Sequence, residues 1–476
     1  MNLFGHNEER NINFMRPDQT FYPSPRMACE APREKLGYVA TLNYGRSDRP
    51  DAISVVDLDP ASPRYSQVVN TLEMPYAGDE LHHFGWNACS SALCPSAPHP
   101  HMQRRYLVVP GLRSSRIYII DTQPDPRKPH IAKIIEPREV IERSGYSRPH
   151  TVHCGPDAIY LSALGSRNDG QGPGGIFMLD HYNYNVLGPW EIDRGDQRLA
   201  YDFWWHLTQD TMVTSEWGVP AQFESGLNFE DLINGRYGRN LHFWDMRRRR
   251  KIQTINLGEE YQLVFELRPA HEPSKTYGFA SVVISLKNLS SSIWTWYLEN
   301  DRWAARKVIE IPAQPADPAK LPPPLKDFKA VPPLVTDIDL SLDDRFLYVS
   351  CWGTGEMHQY DVSNPFEPRL TGTVKLGGIV GRHEHPMGKG PLLGGPQMVE
   401  ISRDGKRVYF TNSLYSVVDD QFYPDKMTGW MAKIDVSPES GMRLDPEFFI
   451  DFGQTRPHQV RLEGGDASTD TFCFPS

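Results

Sequence analysis

The sequence predicts an all-β chain, a single seven-bladed β-propeller with long loop insertions. Three observations carry this. A short strand ending in aspartate recurs at near-constant spacing, and no long stretch shows a 3.6-residue apolar period. The 37 glycines and 41 prolines are scattered between short apolar runs, as frequent turns require. A chain of 476 residues exceeds an average domain but is ordinary for a propeller. With 39% hydrophobic and 11% aromatic residues it can fill a large core, which disordered chains cannot.

The recurring unit reads Ile53-Ser54-Val55-Val56-Asp57, then Ile117-Tyr118-Ile119-Ile120-Asp121, Ile176-Phe177-Met178-Leu179-Asp180 and Leu241-His242-Phe243-Trp244-Asp245. Later copies are Met357-His358-Gln359-Tyr360-Asp361 and Met431-Ala432-Lys433-Ile434-Asp435. The intervals between the aspartates are 64, 59, 65, 116 and 74 residues. The long interval is a doubled one, and Ile293-Trp294-Thr295-Trp296-Tyr297-Leu298-Glu299 fits a degenerate copy in its middle. The count is therefore seven. At a strand end the aspartate can accept from backbone N–H groups of the following turn. A second plan, Ser-x-Asp followed by an alternating strand, appears at 341–350 and 402–411 and suits the inner part of a blade.

A unit of roughly 60 residues exceeds the 40–50 of a four-stranded blade. The surplus is expected in insertions at 87–104, 220–239, 313–333 and 377–395, placed to control access to a site. No internal boundary is visible. Residues 1–34 read as an N-terminal extension and 35–476 as the propeller.

Lys+Arg 50 against Asp+Glu 60 gives a net charge of −10, which disfavours nucleic acid as a partner. The one basic run, Arg247-Arg248-Arg249-Arg250-Lys251, falls where a hairpin turn is expected. Cys29, Cys89, Cys94, Cys154, Cys351 and Cys473 are dispersed, too sparse for a disulfide framework and without a CxxC pair. No apolar run approaches the roughly 18 residues of a membrane span. The first residues lack an apolar signal core, so a cytoplasmic location is expected, or a periplasmic one if an export signal has been removed. A homo-oligomer is compatible with all of this.

Sixteen histidines include four groups that stand out: His82-His83, the H-x-x-H of His150 and His153, His206 after two tryptophans, and His458. The innermost strand of each propeller blade lines a common axis, so imidazoles far apart in sequence can converge there into a copper, iron or zinc site. Alternation along a strand predicts that only one of His82 and His83 faces a given cavity. His383, His385, His99 and His101 read as loop residues. His6, His130, His181, His242, His271 and His358 read as exposed positions beside turns or on outer strands. Cys89 is either a small buried residue or a thiol at the metal. Glu216 and Asp337, carboxylates within apolar strands, need partners and are candidates to orient imidazoles or act as a base.

Long segments then resemble a known family. They include Asp79-Glu80-Leu81-His82-His83-Phe84-Gly85-Trp86-Asn87-Ala88-Cys89-Ser90-Ser91, Tyr201-Asp202-Phe203-Trp204, Ser215-Glu216-Trp217, Gly394-Gly395-Pro396-Gln397-Met398 and Asp419-Asp420-Gln421-Phe422-Tyr423-Pro424. In the same order they resemble the selenium-binding protein / methanethiol oxidase family, in a bacterial-type member. The resemblance implies a propeller, a copper cofactor, and oxidation of a small thiol by O2: methanethiol, oxygen and water to formaldehyde, hydrogen sulfide and hydrogen peroxide. It implies shared histidines at His82, His83, His150, His153 and His458, with His206 a mark of the bacterial-type subgroup. Ser66 stands where animal-type members place a cysteine proposed to hold selenium, so covalent selenium is not expected there. Two other functions are compatible with the same fold: a related copper oxidase or oxygenase with another small substrate, and a non-catalytic propeller that binds selenium or a partner.

Overall fold

A computed structural model describes residues 17–43, 48–95, 97, 99–168, 170–437 and 441–476. Seven four-stranded antiparallel sheets form the blades. From the axis outward, blade 2 runs Gly85–Trp86, Tyr106–Pro110, Ile117–Asp121, His130–Ile135, and blade 3 runs Tyr146–Cys154, Ile159–Ser166, Gly175–Leu179, Val186–Pro189. The inner strands of blades 4 to 7 are Phe203–His206, Tyr261–Pro269, Val335–Leu340 and Val399–Ile401. Blade 1 closes the ring: its inner strand is the C-terminal Arg456–Leu462, paired with the N-terminal Leu36–Leu42.

All seven recurring units fall on the third strand of a blade, including the degenerate copy inside Ser291–Glu299. The aspartates do what their position suggests. Asp57, Asp121, Asp180, Asp245 and Asp361 each accept a backbone N–H from the turn that follows, at 2.8–3.1 Å. Asp435 departs, pairing with Lys433 at 2.9 Å. The basic run forms the turn expected of it.

Burial explains the radial order. Inner strands such as Val335–Leu340 are buried at every position, whereas the outer strand Arg250–Asn256 alternates exposed and half-buried residues. Apolar side chains fill each gap between neighbouring blades. Tyr38, Val55, Trp86 and Leu107 fill one, and Val56, Tyr409, Phe448 and Val460 fill the closing one. Each such layer removes apolar area from water on both faces of a sheet, which is what makes a ring of thin sheets stable.

Helices are few and short among the described residues; Pro137–Ser144 is the longest, and none could cross a membrane. Insertions 220–239, 313–333 and 377–395 lie at one end of the axis. Helices Pro220–Phe223 and Phe229–Ile233, the segment 313–333, Ile379 and the helix Ser416–Phe422 share an apolar cap built on Trp217, Phe223, Leu325, Trp352, Tyr415 and Phe422. Insertion 87–104 lies at the opposite end with residues 17–34 and the C-terminal tail, where Phe21 packs on Ala88 and Cys89 and Glu34 pairs with Arg407. Here one expectation fails. Cys94 and Cys473 form a disulfide, with Cα atoms 5.5 Å apart across 379 residues of sequence. Dispersed cysteines can pair when ring closure brings the C-terminal tail beside an insertion of blade 2.

Candidate metal centre

Blade 3 supplies two of the site histidines, and a bulge explains how. Residues three apart on a regular strand face opposite sides, but the register of Tyr146–Cys154 shifts between Pro149 and Val152. The extra residue brings both His150 and His153 towards the axis. Ser162 Oγ accepts the Thr151 N–H that the ladder loses.

His82 and His83 correct the alternation expectation. They lie in a stretch outside any strand, just before Gly85–Trp86, so no pleat forces them apart. Asp51 accepts the Leu81 N–H at 2.9 Å, Gln459 Oε1 accepts the Phe84 N–H, and Glu80 accepts the Ser416 hydroxyl at 2.6 Å. That last bond ties this stretch to the cap.

Three of the four groups meet, through His82-His83, His150 and His458. His82 stacks on His458 with ring centroids 3.6 Å apart, and His83 lies 4.1 Å from His150. One nitrogen from each of His82, His83 and His150 falls within 4.8 Å of the others. His82 Nδ1 and the Nε2 atoms of His83, His150 and His458 are buried without a hydrogen-bond partner. His458 donates from Nδ1 to the Ser413 carbonyl at 2.6 Å, and His150 Nδ1 contacts Thr151 Oγ1 at 3.0 Å. A donating Nδ1 leaves the Nε2 lone pair directed at the cluster. Burial pushes His458 down to about 3, and burial with neighbouring imidazoles holds His82, His83 and His150 well below the ordinary range. Neutral imidazoles with orphaned lone pairs are the donor set a borderline transition metal takes. Tyr201 and Tyr415 wall the cluster, 4.4 Å from His150 and 6.0 Å from His82.

Beside the imidazoles the axis carries charge. Arg268 reaches Glu266 at 3.1 Å, Asp337 at 3.2 Å, Asp339 at 3.3 Å and Asp202 at 3.5 Å, all buried. Burial pushes Glu266 up to about 8 despite Arg268, and Asp202 and Asp339 up to about 6. Glu266 Oε1 has no hydrogen-bond partner and lies 3.9 Å from His83 Nε2. His153 Nε2, also without one, faces Asp202 at 3.7 Å. Nothing marked Glu266 in the sequence except a pattern: Phe265-Glu266-Leu267-Arg268 and Asp337-Ile338-Asp339 alternate charged and apolar residues within inner strands.

Other expected site residues lie elsewhere. His206 is the last residue of its inner strand, at the end away from the cap. Its Nε2 accepts from Trp296 Nε1 at 3.0 Å and its ring stacks on Trp303. Glu216 is fully engaged, by His242 at 2.8 Å, Asn240 and two backbone N–H groups. Asp337 reaches the axis but is held by Arg268 and the Val399 N–H. Cys89 packs with Cys154 at the opposite end, bonded to Ser91 Oγ at 3.0 Å.

Three histidines expected at the surface are buried: His242 and His358 turn inward to Glu216 and Glu356, and His181 packs against His99. His99 and His385 lie in loops as expected, though buried, His385 stacking on Phe449 and bonding the Asp445 carbonyl. His271 is half-buried, bonded to the Leu340 carbonyl, and His130 is exposed as expected. His6 lies outside the described residues.

Known proteins align with this chain along almost its whole length. It is 40% identical to a methanethiol oxidase of Xenopus laevis, over 94% of this chain and 97% of that one. It is 39% identical to selenium-binding protein 3 of Arabidopsis thaliana, over 94% and 96%. The solved structure of a hypothetical selenium-binding protein from Sulfolobus tokodaii superposes with a TM-score of 0.94 at 61% identity, covering 96% of this chain and all of that one. A periplasmic gluconolactonase of Pseudomonas aeruginosa, 11% identical with a TM-score of 0.56, shares the fold alone. The family model for the 56 kDa selenium-binding proteins matches residues 15–473, and the chain belongs to that family.

Proposed function

We propose that the chain is a copper-dependent thiol oxidase that converts methanethiol, O2 and water to formaldehyde, hydrogen sulfide and hydrogen peroxide. The observation that carries this reading is the set of unpartnered imidazole nitrogens on His82, His83, His150 and His458, the first three within 4.8 Å of one another and the His458 ring stacked on His82. These residues would hold the ion. Copper, when bound, supplies a one-electron couple for oxygen and a soft acceptor for a thiolate. The relatives named methanethiol oxidase support the substrate class.

The chain's own groups divide the remaining work. Glu266 Oε1, buried beside His83 and free of hydrogen bonds, takes the thiol proton and returns it to the departing sulfide. Arg268 balances the carboxylates around it and fixes their orientation. Tyr201, Tyr415 and the cap exclude bulk water and admit only a small apolar substrate, which strengthens every charge interaction inside. Asp202 stands behind His153.

Copper content and methanethiol-dependent oxygen uptake test the reading in His150→Ala, His458→Ala and His206→Ala. Loss of both quantities in the first two, with copper retained in the third, is the expected pattern. Undiminished uptake in His150→Ala overturns it.

A further inference from the structure

A second constellation of donors lies at the opposite end of the ring, outside the axis. Cys154 ends the inner strand of blade 3, and its side chain faces away from His153 and the axis, as neighbours on a strand must. His181 sits in the turn after the third strand of the same blade. His99 is delivered by the insertion that follows the inner strand of blade 2. One donor atom from each of the three lies within 4.8 Å of the other two, and all three residues are buried. The His99 and His181 rings stack with centroids 3.8 Å apart, and His181 Nε2 is 3.9 Å from Cys154 Sγ.

His99 is the telling member. Its side chain is 0% exposed, yet neither ring nitrogen has a hydrogen-bond partner. An imidazole withdrawn from water with both nitrogens unmet is costly, on the order of 1–3 kcal/mol for each lost bond, unless something absent from the polypeptide meets them. The neighbouring donors are an imidazole and a thiol, not carboxylates or cations, so an organic anion or a hard ion such as magnesium has no reason to stop there. Cys89, in the same small core and bonded to the Cys154 carbonyl at 3.4 Å, adds a second thiol beside the group.

We propose that Cys154, His99 and His181 bind a thiophilic d10 metal ion, zinc(II) or copper(I), as a structural clamp distinct from the axial centre. Thiolate and imidazole are the donors such ions prefer, at about 2.0–2.3 Å; these lengths separate donors by about 3–4 Å, so the three side chains close by a small rotation. The ion fixes insertion 87–104 to blade 3, while the Cys94–Cys473 disulfide fixes the same insertion to the C-terminal tail. No axial imidazole takes part, so the clamp stands independently of the oxidase reading.

Cobalt(II) titration of chelator-stripped full-length protein tests it, because only a site holding a cysteine gives a thiolate-to-cobalt charge-transfer band and the axial imidazoles cannot. The expected result is one such band at one equivalent, lost in Cys154→Ser and with affinity at least about tenfold weaker in His99→Gln and His181→Gln. Metal analysis of the protein as purified, zinc or copper at one equivalent beyond the axial content and lost in Cys154→Ser, names the resident ion and supports the clamp either way. His99→Gln lies on an insertion, so it carries the test even if Cys154→Ser fails to fold. No band in the unaltered protein, or a band of unchanged affinity in both histidine variants, overturns the proposal.

Discussion

At the scale of single residues, partnership and not burial separates the axial imidazoles from ordinary core histidines. His242 and His385 are as buried as His150, but their nitrogens meet Glu216 and the Asp445 carbonyl. The proton-carrying role of Glu266 makes a specific demand. Glu266→Gln keeps the volume and the metal ligands, so copper content and KM should hold while kcat falls about 100-fold or more, the range of general acid–base catalysis; steady-state kinetics on metal-loaded protein measure this. A second residue bears on stability. Asp470 is buried between Arg104, at 2.7 Å, and Arg403, and against the cost of burial these guanidiniums hold its carboxyl down to about 2. A folded-state value below the unfolded one contributes stability at pH above the unfolded carboxylate range, lost as pH falls from about 4 through about 2. Asp470→Asn should therefore lower stability by about 3–5 kcal/mol near neutrality and flatten the acid limb of a denaturation profile, read by circular dichroism.

Elements decide how these residues meet, and here the sequence was partly legible. The third-strand aspartates could be counted because each has a local job, capping the turn two or three residues on. The convergence of His150 and His458 followed from the ring, since both lie on inner strands; His82 and His83 join them from a stretch outside any strand, and His153, expected with them, faces Asp202. His206 looked equivalent in sequence but occupies the far end of its strand, a difference of depth that spacing does not encode. The bulge in Tyr146–Cys154 and the unpleated stretch at His82-His83 are equally silent, because both depend on partners from other blades. Glu266 was missed since one glutamate among apolar residues looks alike on any strand.

Gly85 gives the inner strands of blades 2 and 3 their own test. A Cβ there would sit 2.6 Å from the Val152 carbonyl, a contact with backbone that cannot swing away. Gly85→Ala should push the His83 stretch off the His150 strand, costing about 1–3 kcal/mol and about tenfold or more in copper affinity while the ring persists. Chelator competition and thermal unfolding together separate this from a simple packing defect.

For the whole molecule, function depends on closure. The inner strand of blade 1 comes from the C-terminus and carries His458 and Arg461, while its neighbours come from the N-terminus. Ring closure thus assembles the centre from blades 1, 2 and 3, and the cap seals it through Ser416 and Glu80. Removing residues 456–476 should abolish both the cooperative thermal transition and copper binding, since the closing apolar layer of Val39, Tyr409 and Val460 loses one wall. Calorimetry with and without copper measures it.

The most direct test is a crystal structure of copper-loaded protein with anomalous data collected at the copper edge. The account predicts one anomalous peak enclosed by His82, His83, His150 and His458. A loaded, active protein with no peak among those four rings, or with its copper at His206, contradicts it.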